Sequence, residues 1–339
     1  MKFFLLYLLI IFSFFISNNL FSFENIYETE FYNVEINNEI INDSKIREIN
    51  EIKKLSFDTL LKKILSRSEY IKLKKINKLD DEIDYLIKSI LINDEFISSN
   101  RYKAKIKINF DYNEFVNFLR KNKLNYTDLS SPNFLVVAAE NRNISQVGIS
   151  DDNLFYDSVL PYNFNIINLI YPDVSANDRF LISYEKIVNK DIKSFNKISL
   201  KYDINNILII LLELKKAVYE INISTYSRLD DQIIDISTLK LQSKDNLKNL
   251  VFEELDNWWK KNNLINNSIT NTEFCKINSS NINELHYISN IINSISQIKS
   301  NNLSEIKLNE NVNKIVFFGD LNNLFYKLLN KKINLYFNS

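Results

Sequence analysis

Apolar and polar positions change their period several times along this chain, and each change marks an element. The clearest case is 102–110, where Tyr102, Ala104, Ile106, Ile108 and Phe110 alternate with Lys103, Lys105, Lys107 and Asn109. A period of two predicts a strand with one face in a core and the other in water. Upstream, Phe57, Leu60, Leu61, Ile64 and Leu65 recur at helical spacing and predict a long helix over Asp43 to Ser66. Ile83, Leu86, Ile87, Ile90 and Leu91 repeat that spacing and predict a second helix. A strand is predicted from Ile26 to Ile36. Downstream, Asp111 is placed to cap a helix on which Phe115, Phe118 and Leu119 share a face. Pro132 marks a turn, and Phe134 to Ala139 is the unbroken apolar run of a central strand. The predicted order to this point is strand, helix, helix, strand, helix, strand.

The pattern weakens and then recovers. Asn141 to Asp157 is polar and loop-like, Phe164 to Tyr171 predicts a strand ending at Pro172, and Ala176 to Val188 predicts a helix. Three strands follow at Asn206 to Leu214, Ala217 to Tyr226 and Gln232 to Leu241, with turns at Lys215-Lys216 and Asp230-Asp231. Leu247, Leu250, Val251, Leu255, Trp258 and Trp259 then make a helical stripe. The last stretch reads as a strand (Thr272 to Ile277), a helix (Ile282 to Ile295) and two strands (Gln297 to Leu308, Val312 to Phe318). A helix carrying Leu321, Leu324, Phe325, Leu328 and Leu329 and a strand from Ile333 to Phe337 complete it. This βαββαβ order is that of a ferredoxin-like unit. The expected fold class is therefore α+β, built from tandem small α/β units. These are an N-terminal unit over 23–140, a middle unit with antiparallel strands over 141–266, and a ferredoxin-like C-terminal unit over 267–339.

The first residues read differently. Met1-Lys2 precedes the uncharged run Phe3 to Ile16 and the polar exit Ser17-Asn18-Asn19, as in a secretory signal peptide occupying 1–22. The run is shorter than the ~20 apolar residues of an ordinary membrane span. Cleavage is expected after Ser22, although Leu20 fits a small-residue site poorly; an uncleaved anchor is the alternative. With Cys275 as the only cysteine, no disulfide within the chain can form and no lipid-attachment cysteine stands near the leader. The expected location is the periplasm, with the membrane touched only through an uncleaved leader.

Composition changes the turn chemistry. There are 2 Gly and 3 Pro in 339 residues, where ordinary usage of about 7% would supply roughly twenty Gly. Asn, which tolerates left-handed backbone better than other side chains, is expected to take over turns at Asn37-Asn38, Asn205-Asn206, Asn266-Asn267 and Asn301-Asn302. Forty-two basic and 42 acidic residues cancel, which leaves no field to steer nucleic acid.

Several segments together resemble the DUF2066 family of uncharacterised exported bacterial proteins. They are Tyr32-Asn33-Val34 through Leu65, Arg101 to Asp111 with Phe118-Leu119-Arg120, Ser131-Pro132-Asn133-Phe134-Leu135-Val136-Val137, and Phe317-Phe318-Gly319-Asp320 before Leu324 and Leu328-Leu329. The resemblance covers most of the mature chain. It implies export and an α+β architecture, and it implies no reaction.

Candidate chemistry is sparse. His286, the only histidine, lies on a predicted helix with no nucleophile motif such as G-x-S-x-G in the chain, and reads as a partly exposed helix residue. Cys275 reads as buried strand filler, and one His with one Cys cannot build the usual zinc shell. Asp80, Asp81, Glu82 and Asp84 lack calcium-loop spacing and read as a helix start. Asp151-Asp152 and Asp230-Asp231 read as turns, and Lys103, Lys105 and Lys107 as a solvated sheet face. Gly319-Asp320 reads as a left-handed turn with a helix cap. Trp258 and Trp259, 100° apart on a helix, cannot both face inward; a partner surface at one of them is the lesser alternative. No catalytic, cofactor-binding or metal-binding residue is assigned. The expected function is a non-enzymatic envelope module that binds another envelope protein. The alternative is a periplasmic hydrolase or ligand-binding protein whose carboxylates and tyrosines assemble only in space.

Overall fold

The computed structural model describes residues 26–37, 40–76, 79, 82–142, 145–156, 166–279, 281–307, 310–331, 333 and 336–337. The leader, part of the expected strand at Phe164 to Tyr171, and Asp80 and Asp81 lie outside the described residues.

The first unit contains β1 (Tyr32–Asn37), α1 (Ile41–Ile64), α2 (Arg67–Leu73), α3 (Ile83–Leu86), β2 (Ile87–Ile97), β3 (Arg101–Phe110) and α4 (Tyr112–Lys121). Its sheet has the order β1-β3-β2 with both pairings antiparallel. Every even position of β3 from Tyr102 to Phe110 is buried, as alternation requires. That face lies beneath α1, which buries Phe57, Leu60, Leu61 and Ile64. Phe115 of α4 sits among Tyr27, Phe57, Phe110 and Phe118, with ring centroids 5.6–6.1 Å apart. Such tilted and edge-on pairs add to the area they bury. Asp111 caps α4, its carboxylate accepting from the amides of Asn113 and Glu114.

The helix expected over Ile83 to Leu91 is corrected. Only Ile83–Leu86 is helical, and the chain extends from Ile87. Ile87, Ile90 and Ile92 are β-branched and find Phe110, Ile108 and Ile106 across the ladder. That pairing outweighs a helical spacing that is equally present in the sequence.

The middle sheet holds β4 (Asn133–Asn141), β5 (Gln146–Val147) and β6 (Asn168–Ile170), then β7 (Asn206–Lys215), β8 (Val218–Ser227) and β9 (Gln232–Leu241). Its order is β5-β4-β7-β8-β9, with β6 beside β4. Three helices, α5 (Ala176–Leu181), α6 (Tyr184–Val188) and α7 (Ile192–Tyr202), precede β7, and α8 (Leu247–Asn262) follows β9. Phe134 to Ala139, grouped by sequence order with the first unit, instead runs parallel to β7 here. The reason is its two apolar faces. Phe134, Val136 and Ala138 share a core with Val251 and Leu255 of α8, while Leu135, Val137 and Ala139 share another with Ile187, Phe195 and Ile198. The first sheet keeps lysines on its outer face and has no second layer to offer such a strand. The expected helix over Ala176 to Val188 is two helices, and α7 was not foreseen.

The Asn-turn expectation is also corrected. Among the described residues with left-handed backbone, Asn246 is the only Asn; Asp94, Asp203, Asp231, Lys123, Lys190 and Lys216 are six of the others. Lys216 and Ala217, both left-handed, make the two-residue hairpin turn between β7 and β8. Left-handed backbone costs about 1–2 kcal/mol per residue, and even the β-branched Val174 adopts it, so Asn holds no monopoly. Asn301-Asn302 lies inside a strand.

The third unit contains β10 (Thr270–Asn278), α9 (Ile282–Asn293), β11 (Ile298–Lys307), β12 (Glu310–Phe318), α10 (Leu321–Asn330) and β13 (Tyr336–Phe337). Its sheet runs β11-β12-β10-β13, antiparallel throughout. The chain is thus α+β, made of several small sheets with their helices. The first and third units share one plan: strand, helical segment, hairpin, helix, with the second hairpin strand central. In both, an Asp caps the helix that follows it, Asp111 and Asp320.

Candidate functional site

Between the first and third units lies a cleft of about 620 Å³. Three pieces of chain build one wall. Ile26 and Tyr27 lead into the first sheet, with the Tyr27 carbonyl accepting from the Phe110 amide at 2.9 Å. Tyr112 and Asn113 start α4. The segment from Leu124 to Ser131 crosses the junction, held by the Thr127 amide on the Ile64 carbonyl (2.9 Å) and by the Ile265 amide on the Tyr126 carbonyl (2.7 Å). The opposite wall is the end of α9 with Asn290 and Asn293, then Ser294 to Ser296, then Lys327 of α10 and Lys331 just beyond it.

Charged and hydroxyl groups converge on the floor. The Lys327 ammonium donates to the Asp128 carboxylate and, at 2.8 Å, to the Ser296 hydroxyl oxygen. The Tyr27 hydroxyl donates to Asp128 at 3.4 Å. Arg120 donates to the Ser296 carbonyl at 2.6 Å, and the Tyr126 hydroxyl reaches the same oxygen at 3.4 Å. The Arg120 guanidinium also lies over the Phe318 ring, 4.2 Å from its centroid. The ion pair is almost dry, with Lys327 8% exposed.

Burial sets the protonation states. It opposes charge on Asp128, but the Lys327 ammonium and the surrounding hydrogen bonds outweigh it and hold the carboxyl below its ordinary range. Burial lowers Lys327, and Asp128 offsets part of that. Burial and then the Asp128 charge push Tyr27, Tyr112 and Tyr126 above the ordinary phenol range. The floor is therefore a carboxylate paired with the Lys327 side-chain nitrogen and ringed by phenols that stay neutral at neutral pH. The carboxylate is spent on its partner, so the cleft is suited to holding a ligand by ring contact and hydrogen bonds rather than to removing a proton.

The residues singled out in the sequence lie elsewhere. His286 is exposed on α9, while Cys275 is fully buried in β10 with its thiol pushed up to about 12 by burial. Glu82 pairs with Lys121 and Asp84 with Lys53. Lys105 pairs with Asp94 and Lys107 with Glu28, both at 2.8 Å, on an outer sheet face. Gly319 is left-handed (φ +72°), and Asp320 caps α10 through the Asn322 amide. Trp258 and Trp259 are both half-buried against the middle core, and the Trp259 indole donates to the Leu129 carbonyl at 2.9 Å. The expectation that the two cannot both face inward is thus corrected: α8 also meets the first unit, so an arc wider than one stripe is covered. Among the described residues no group of three or more His, Cys, Asp or Glu is placed to hold a metal ion, and no helix is long and apolar enough to cross a membrane.

Sequence reasoning missed Asp128, Ser296, Lys327, Tyr27, Tyr112 and Arg120. One signal was there: Lys327 falls on the stripe of Leu324 and Leu328, and a charge inside an apolar helix face needs a buried partner. Neither a family model nor a curated protein matches this chain.

Proposed function

We propose that the protein is an exported, non-catalytic binding protein of the bacterial envelope, and that the cleft between its first and third units receives a segment of another envelope protein. One observation carries this reading: tyrosines from the first unit and hydroxyls and amides from the third meet over a floor whose charges are already paired. Tyrosine gives large, amphipathic contact area at small entropic cost, and Ser and Asn add adaptable hydrogen bonds, the same division of labour found in protein-recognition loops. Asn is abundant throughout this chain, so the tyrosines and the dry ion pair are the specific part. Export rests on the leader-like residues 1–22 and on the resemblance to DUF2066 proteins. The C-terminal unit is read as ferredoxin-like, supported by the sheet order β11-β12-β10-β13.

A photo-crosslinking residue at Asn113 or Asn293, both exposed at the cleft, should capture one reproducible envelope protein in living cells. The same residue at Lys193 on α7 should not. Background proteins alone from the cleft positions would overturn the reading.

A second reading, a hydrolase or small-ligand site, is favoured by the 2.8 Å contact between the Ser296 hydroxyl and the Lys327 ammonium. Asp128 weighs against it by engaging the same lysine nitrogen. Labelling by a fluorophosphonate, lost in Ser296→Ala, would favour it over the first.

A further inference from the structure

β2 is an edge: among the described residues β3 is its sole strand neighbour. It is also unusually apolar for an edge. Leu91 is 44% exposed, Ile92 37%, Phe96 55% and Ile97 56%. An open strand of this kind is a template for pairing with another chain. Its ladder with β3 is interrupted between Ile87 and Ser89 and again between Asn93 and Phe96. Those bulges leave Ser89 to Asn93 as the regular stretch, with Leu91 at its centre.

The stretch is complementary to itself. Ile90 and Ile92 lie opposite Ile108 and Ile106, on the sheet face that carries the helices, while Leu91 lies opposite Lys107 on the outer face. Lys88 stands before the stretch and Asp94 after it. Lys88 is exposed and has no ion-pair partner among the described residues. Asp94 pairs with Lys105, yet its side chain remains 68% exposed. A second β2 laid antiparallel about Leu91 puts Leu91 beside the partner's Leu91 and Ile90 beside the partner's Ile92, and brings Lys88 and the partner's Asp94, each in a bulge at the end of the regular stretch, to the same end of the seam. Parallel pairing would set lysine on lysine and acid on acid. Opposite charges and apolar pairs directly across a ladder stabilise it, and like charges destabilise it.

We infer that two copies of this chain associate through β2, antiparallel about Leu91, joining their three-stranded sheets into one six-stranded sheet. The two-fold contact is closed, using the same patch on both copies, and it removes the open β2 edge.

The test uses the full chain purified from the envelope fraction. Sedimentation velocity across a hundredfold concentration range should show a monomer–dimer equilibrium. Leu91→Lys, a change at an exposed position that sets two ammonium groups together on the two-fold, should leave monomer at every concentration with an unchanged circular dichroism spectrum. Under mild oxidation Leu91→Cys should form a disulfide-linked dimer, because directly opposed Cα atoms lie within disulfide range. Lys88→Cys should not, because the two copies of residue 88 would stand about 20 Å apart. Cys275 is buried and gives no background. A monomer throughout, a dimer that survives Leu91→Lys, or equal crosslinking at 88 and 91 would each overturn the inference.

Discussion

The Lys260 ammonium of α8 donates to the Lys62 carbonyl in the last turn of α1, 2.5 Å away and 198 residues earlier in the chain. The carboxyl end of a helix favours a cation, so this contact ties the middle unit to the first. Asp256, one turn before Lys260, completes it by pairing with the same ammonium. Burial raises the Asp256 carboxyl to about 6, against the pull of Lys260.

A pH dependence follows. The folded state holds a proton on Asp256 up to about pH 6, whereas the unfolded chain releases it near 3.9. Between these values the folded state binds more protons, so stability falls as pH rises from about 4 to 6, and the cost is constant above that. The expected loss is on the order of 3 kcal/mol. Urea denaturation at intervals across this window should show the decline, and Asp256→Asn should flatten it.

Removing one member of the Asp128–Lys327 pair strands a charge out of water. Asp128→Asn and Lys327→Met should each destabilise by about 3–5 kcal/mol, while the double variant should recover much of the loss. A double-mutant cycle in denaturant measures the difference.

Gly319 is held where a side chain does not fit. Its φ is +72°, and an added Cβ would stand 3.0 Å from the Asn266 amide nitrogen. Gly319→Ala should lower stability by about 1–2 kcal/mol from the left-handed backbone alone, with the contact adding to it. Gly148→Ala meets the Tyr184 amide nitrogen at 3.1 Å without a left-handed φ, and should cost less. Paired thermal melts compare them.

The Cys275 thiol is buried and its ionisation suppressed. A thiol reagent needs an accessible thiolate, so native protein should resist labelling at pH 8 and react only as the third unit opens. Timed labelling in sub-denaturing urea reads that opening.

Legibility in the sequence followed the locality of each interaction. The alternation from Tyr102 to Phe110 and the stripe from Phe57 to Leu65 were readable because one face of each meets one core. Asp111 and Asp320 were readable as turn and cap residues because the amides they bind lie two or three positions on. Ile87 to Leu91 was misread because its spacing suits both a helix and a strand, and only β3 decides. Phe134 to Ala139 was recognised as a buried strand, but its neighbour β7 lies some seventy residues downstream. The floor of the cleft had no local signature, since Asp128 and Lys327 stand 199 residues apart.

That separation bears on how the protein matures. A chain synthesised amino end first presents Asp128 long before Lys327 emerges. Until then the early-arriving module keeps a bare carboxylate where it will later be dry, and its junction surface stays hydrated. Docking of the two ends can thus come only late, and a premature stop upstream of α10 should leave a protease-sensitive truncated chain rather than a smaller stable protein.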